Sequence, residues 1–177
     1  MYLKILILVL CLSISRASYS QENESKVILN NFEITGTTIY QGENRNVLGW
    51  LGLPYAEPPI KDLRWKAPRT FNGFSDNYNA INLPNRCVQV SNSYDQIIED
   101  LDPGQIIGNE DCLYLNIYRP SNINFDNEKL PVMFWIHGGG NTWGYSASNM
   151  TTPRKFLDKH NVILITVNYR LGPFGWL

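Results

Sequence analysis

LPVMFWIHGGG, Leu130 to Gly140, is the stretch on which the reading of this chain turns. An apolar run with no charge runs straight into His-Gly-Gly-Gly. Such a run reads as a strand buried on both faces. Three consecutive glycines after it work against stability, because glycine loses more conformational freedom on folding than any other residue. Bare backbone must therefore be needed at this position.

Working outward, VILITVNY (Val162 to Tyr169) is a second continuous apolar strand. Between the two, TTPRKFLDKH reads as a short helix, with Thr at the N-cap and Pro in the first turn. Strand, helix, strand with both strands apolar is a βαβ unit carrying a parallel pair. Upstream, CLYLNIY alternates apolar and polar residues and reads as a strand. NVLGWLGLPYAEPP reads as another strand followed by a proline-rich turn, and VILNNFEITGTTIY as two short strands. These earlier strands are expected to be antiparallel. Lys61 to Ser93 reads as long ordered loop in which Trp65, Phe71, Phe74 and Tyr78 need packing partners. QIIEDLDPGQIIGNEDC is acidic and carries the turn signal Asp-Pro-Gly. The architecture is α/β with a mixed sheet.

At 177 residues, 44% hydrophobic and 18% charged, the chain has material for a packed core. A net charge of −1 without basic blocks argues against nucleic acid as a partner. Residues 1–20, MYLKILILVLCLSISRASYS, have the layout of a secretory signal peptide: one lysine, an apolar run, then small residues. That run is too short to span a bilayer comfortably, and no later stretch is long enough. The expected location is extracellular. Cys11 would leave with the signal, so Cys87 and Cys112 remain. They either form a disulfide, with a loop closure of roughly 3 kcal/mol, or stay as two buried thiols. Asn23-Glu-Ser and Asn149-Met-Thr are glycosylation sequons.

HGGG after a buried strand resembles the α/β-hydrolase loop that lends backbone N–H groups to an oxyanion hole. One such donor is typically worth about 2.7–4 kcal/mol to acyl transfer. GLPYAEPPIKDLRW (Gly52 to Trp65), NEDCLYLNIYRP (Asn109 to Pro120) and VNYRLGPFGWL (Val167 to Leu177) resemble three further segments of the type-B carboxylesterase and cholinesterase family, in the family's order. The resemblance covers nearly all of residues 21–177. It implies the N-terminal part of an α/β-hydrolase fold, with a mixed sheet and a small antiparallel N-terminal sheet. It implies Gly139 and Gly140 as oxyanion donors with Gly138 as the hinge. It pairs Cys87 with Cys112 as a disulfide, and Arg64 with Glu110 as a buried salt bridge, the bland alternative being a solvated pair of little worth. Arg170 matches an arginine whose acidic partner lies further along in relatives. No metal or cofactor is implied; the implied partner is a small carboxylic ester.

The departures bear on function. Relatives usually place an apolar or aromatic residue where this chain has Asn141. Cholinesterases carry a tryptophan between their first two cysteines for cation–π binding of a quaternary ammonium. Val88 to Asp111 contains none, so a choline-ester preference is unsupported. The family nucleophile in Gly-x-Ser-x-Gly, its acid and its histidine are expected beyond Leu177. Ser146 in Gly-Tyr-Ser-Ala-Ser lacks the final glycine and does not follow a strand directly. His137 reads as structural and His160 as exposed. The 177 residues alone are therefore expected to be inactive, with Leu130 to Ile136 an open apolar sheet edge prone to aggregation. Three readings compete: the start of a secreted serine carboxylesterase, the start of a non-catalytic neuroligin-like adhesion protein, and a short secreted decoy.

Overall fold

The structure, a computed structural model, describes residues 24–125, 127–148 and 152–176. The expected signal peptide, Cys11 and the sequon asparagines Asn23 and Asn149 lie outside the described residues.

The chain opens with a hairpin, β1 (Lys26–Leu29) and β2 (Phe32–Thr35), paired antiparallel. Its turn is Asn30-Asn31, with φ of 49° and 69°. Two successive left-handed residues suit the right-handed twist of a hairpin, and asparagine tolerates them better than most side chains. Gly36 then turns the chain from one sheet to the other; a Cβ there would meet the Gly49 carbonyl oxygen at 2.6 Å. β3 (Thr37–Gln41) follows at once. VILNNFEITGTTIY thus forms three strands, where the sequence reading expected two. The small sheet is antiparallel between β1 and β2 and gains a short parallel third strand, Tyr78–Asn79 (β5). A separate antiparallel pair, β6 (Gln89–Val90) and β7 (Ile106–Ile107), follows.

The main sheet contains β4 (Asn46–Pro54), β8 (Tyr114–Pro120), β9 (Val132–Ile136) and β10 (Ile163–Val167) beside β3, in the order β3-β4-β8-β10-β9. β3, β4, β8 and β10 pair antiparallel in turn, while β10 and β9 are parallel, so the sheet is mixed as the sequence implied. β8 is interior, and six of its seven residues are buried. Its apolar–polar alternation therefore does not mean one wet face: Asn116 is fully buried. One face of the sheet packs Trp50, Leu115, Ile117 and Ile165 with residues of the small sheet. The other packs Val47, Tyr118 and Leu164 against Leu157 of α2 (Arg154–Lys159). Burying each such side chain is worth about 1.5–3 kcal/mol.

Three further corrections concern local structure. α2 is capped by Pro153, without a side-chain hydrogen bond, rather than by threonine. A helix, α1 (Ser93–Glu99), stands where none was expected and runs into the acidic segment ahead of its Asp-Pro-Gly turn. Asn92 Oδ1 accepts from the N–H of Tyr94 and Asp95, and Asp95 Oδ2 accepts from the Asn92 N–H, a capping box written in Asn and Asp instead of Ser/Thr and Glu/Gln. Trp65 remains 60% exposed, while Phe71 meets Phe74 edge-on and Phe74 meets Tyr78 at a tilt.

β9 has the apolar sequence of a strand buried on both faces, but in these 177 residues it is the open sheet edge expected from the sequence, with Val132 46%, Met133 47% and Ile136 61% exposed. Among the described residues, no helix is long and apolar enough to cross a membrane.

Candidate functional site

Parallel strands deliver their carboxyl ends to the same edge, where open α/β sheets place their sites. Here Ile136 pairs with Val167, so the residues after β9 and after β10 emerge side by side. His137 stacks on Tyr169 at 4.3 Å between centroids, and the Tyr169 hydroxyl donates to the His137 carbonyl at 2.8 Å. His137 Nδ1 lies 2.9 Å from the Gly138 carbonyl, which can only accept, so Nδ1 carries the proton. Burial pushes the His137 pKa below its ordinary value, with the Gly138 hydrogen bond acting the other way. The ring is neutral near pH 7 and braces the start of the glycine turn.

Gly139 and Gly140 each have a backbone reason to be glycine, whereas Gly138 does not take a positive φ. Gly139 has φ 127°, and a Cβ there would overlap the Trp143 carbonyl oxygen. Gly140 has φ 59° with open space around it, as has Gly138. Asn141 is also left-handed, at φ 61°, and its carbonyl accepts from the Gly172 N–H at 2.7 Å. The Gly139 carbonyl is turned inward, accepting from the N–H groups of Thr142 and Trp143 and from the Thr142 hydroxyl. Among the described residues, neither Gly139 nor Gly140 donates its N–H to a protein acceptor. The same holds for Gly138, and it is Gly138 and Gly139 that line a neighbouring cavity. Adjacent donors are thus available to a ligand.

Buried amides hold this turn from behind. Gln89 donates to the carbonyls of Cys87 and Gly144 and accepts from the Gly144 N–H, each at 2.9 Å. Asn168 Oδ1 accepts from the Ser146 N–H, and Asn168 Nδ2 donates to the Asn85 carbonyl. Asn116 accepts from the Gly52 N–H at 3.0 Å and donates to Ser146 Oγ and Thr166 Oγ1. Ser146 is therefore a buried structural hydroxyl. His160 stands exposed at the end of α2, beside Phe156.

A cavity of about 280 Å³ opens against Gly138 and Gly139. Tyr94 and Trp143 form a stacked pair in its wall, 5.7 Å apart and 12° from parallel. Arg86 also lines it, bridging Asp95 at 2.5 Å and Glu99, and lying 4.8 Å over the Tyr145 ring. Burial pushes the Tyr145 hydroxyl up to about 12, against the pull of Arg86, so it serves as a donor, to the Pro84 carbonyl. Arg86, Gln89, Asn116 and Asn168 escaped the sequence reading. The Asn92 and Asp95 spacing was the one local signal that α1 would carry acids to this wall.

The remaining sequence-selected residues lie outside the cavity. Cys87 and Cys112 are joined by a disulfide across a separation of 25 residues. Arg64 grips Glu110 with two hydrogen bonds, 2.5 and 2.6 Å, but the side chains keep 39% and 19% exposure. The pair is thus partly buried, the arginine more open than the glutamate. Arg170 donates to the Lys66 carbonyl, and its buried Nη1 has no hydrogen-bond partner among the described residues.

The profile of the Carboxylesterase family matches residues 23–177. Esterase-5B of Drosophila persimilis is 36% identical over 175 residues, covering 98% of this chain and 29% of that protein. Acetylcholinesterase 1 of Caenorhabditis briggsae is 35% identical over 144 residues, covering 80% of this chain and 23% of that one. A solved PNB esterase superposes with a TM-score of 0.69 at 34% identity, over 85% of this chain and 29% of its own. The chain spans less than a third of the length of these relatives.

Proposed function

This chain belongs to the carboxylesterase family and has its α/β-hydrolase architecture, and from that premise we propose that it supplies the oxyanion-binding part of a secreted carboxylic-ester hydrolase. The observation that carries the reading is the pair of N–H groups on Gly139 and Gly140, uncommitted among the described residues, with Gly139 lining a cavity at the carboxyl end of β9. Gly138 is the hinge before them.

In the full-length protein a serine nucleophile attacks the ester carbonyl carbon, and the carbonyl π pair moves onto oxygen. Gly139 and Gly140 donate to that oxyanion, and their worth is greatest when the charge is fully developed. The intermediate collapses, the alcohol leaves with a proton from the general acid, and water cleaves the acyl-enzyme by the same route. Neutral His137 takes no part in proton transfer; it holds the turn through Tyr169. The nucleophile, acid and base come from outside these 177 residues. Residues 1–20 direct secretion, and Asn23 and Asn149 are glycan acceptors in this reading. Cys87–Cys112 fits the same oxidising compartment.

The test is hydrolysis of 4-nitrophenyl butanoate by the full-length protein, with labelling by an alkyl fluorophosphonate. Turnover together with stoichiometric labelling supports the reading. A folded protein that does neither overturns it and leaves the adhesion role.

A further inference from the structure

We propose that Asn72 is a deamidation site of the folded protein, where Asn72 and Gly73 close to a succinimide that water opens to aspartate or isoaspartate. The inference does not depend on the esterase reading; it adds a covalent modification to the loop between β4 and β5.

Four observations converge. Among the asparagines of the 177 residues, Asn72 is the only one followed by glycine. Both residues are exposed and lie outside any helix or strand. Gly73 has φ 98°, a value that glycine holds at little cost, and open space lies where a Cβ would stand. Its nitrogen can therefore be approached without a steric barrier. Among the described residues, neither the Gly73 N–H nor the Asn72 side-chain amide makes a hydrogen bond, so nothing holds the reacting groups apart.

The step balances with water alone. Hydroxide takes the Gly73 amide proton, the nitrogen attacks Cγ of Asn72, and the Cγ–Nδ2 bond breaks. Nδ2 leaves as ammonia, with a proton from water. Water then adds to either ring carbonyl. Addition at Cγ gives aspartate, and addition at the backbone carbonyl carbon gives isoaspartate, with the main chain running through Cβ and Cγ.

The product acts on a defined contact. The Asn72 N–H donates to Glu57 Oε1 at 3.0 Å, and the Glu57 N–H donates to the Arg69 carbonyl at 3.0 Å. Ala56 and Thr70 form a bridge beside them. A new carboxylate at position 72 faces that of Glu57, and like charges repel. In isoaspartate the main chain is also one carbon longer between Phe71 and Phe74, whose rings meet at 5.1 Å, so that contact must shift.

The experiment incubates the full-length protein, its Asn72→Gln variant and the free peptide of residues 70–75 in neutral and mildly alkaline buffer. Peptide mapping by mass spectrometry follows each asparagine. Acid is expected at position 72 before any other asparagine of the 177 residues, as aspartate and isoaspartate together. The rate should match that of the peptide and rise with pH. The modification should be lost in Asn72→Gln, whose longer side chain must close a larger ring. Conversion far slower in the folded protein than in the peptide, or another of these asparagines converting first, overturns the proposal. The urea midpoint of Asn72→Asp should fall below that of the wild type and recover when Glu57→Gln is added. A midpoint that does not move overturns the release at Glu57.

Discussion

A Cβ on Gly144 would overlap Nδ1 of His137, so the backbone beyond the glycine turn packs directly against the imidazole edge. The ring cannot yield, because Tyr169 stacks on its face. Gly144→Ala is expected to cost about 3 kcal/mol or more, combining overpacking with a φ of 133° that side chains rarely adopt. Gly140→Ala, with open space around it, should cost only the left-handed penalty of about 1–2 kcal/mol. Urea midpoints of the two variants should fall in that order; equal midpoints would show that the ring does move.

Asn116 ties three strands and the glycine loop through one buried amide. Asn116→Leu keeps the branching of the side chain, in a bulkier form, but strands the Gly52 N–H and two hydroxyls. Each unsatisfied buried group costs about 1–3 kcal/mol, so a loss of about 3 kcal/mol is expected in chemical denaturation. Hydrogen exchange at Gly52 should quicken in step. A neutral substitution would mean that water replaces the amide.

Acid should unfold the protein through two separate groups. His137 has a folded pKa below its ordinary 6.5, so the unfolded chain takes up a proton first. Its contribution is whole above about pH 6.5 and erodes as pH falls toward the folded value. Asp158 is shielded from water, which alone raises a carboxyl pKa, but the N–H groups of Arg45 and Asn44 and the Asn44 amide hold it below its ordinary 3.8. Its contribution is present above the unfolded value and is lost as pH falls through the folded one. His137→Gln should flatten the fall in stability that begins below about pH 6.5, and Asp158→Asn should act only on the more acidic limb. A profile that neither variant alters would place acid sensitivity elsewhere.

The β9 edge presents unpaired backbone flanked by Val132, Met133 and Ile136. Expressed as these 177 residues, the chain is expected to aggregate, and Met133→Lys should slow light-scattering growth several-fold by placing a charge on the edge. A soluble monomer with a sharp, reversible melt would contradict the first expectation.

The parts legible in the sequence were those with local signatures. The apolar runs at Leu130 to Ile136 and Val162 to Tyr169 announced their strands and parallel pairing, and HGGG announced the turn. The third strand of VILNNFEITGTTIY was missed because the single residue Gly36 passes the chain from one sheet to the other. α1 was missed because its capping box uses uncommon letters and its acids suggested a turn. Gln89, Asn116 and Asn168 were beyond reach for another reason. Single amides far apart in the chain show their purpose only when the sheet brings Gly52, Gly144 and Ser146 to them. Arg86 is the same case, since its carboxylates lie one helical turn apart on a helix that had not been recognised.

Gln89 has a further consequence. It touches a cystine carbonyl on one side and both backbone groups of Gly144 on the other. The crosslinked loop and the donor turn therefore shift together, like two pages on one hinge pin. A sequence drifting at position 89 must rebuild both contacts at once, so the covalent staple and the chemistry beside it are constrained to evolve as a single piece.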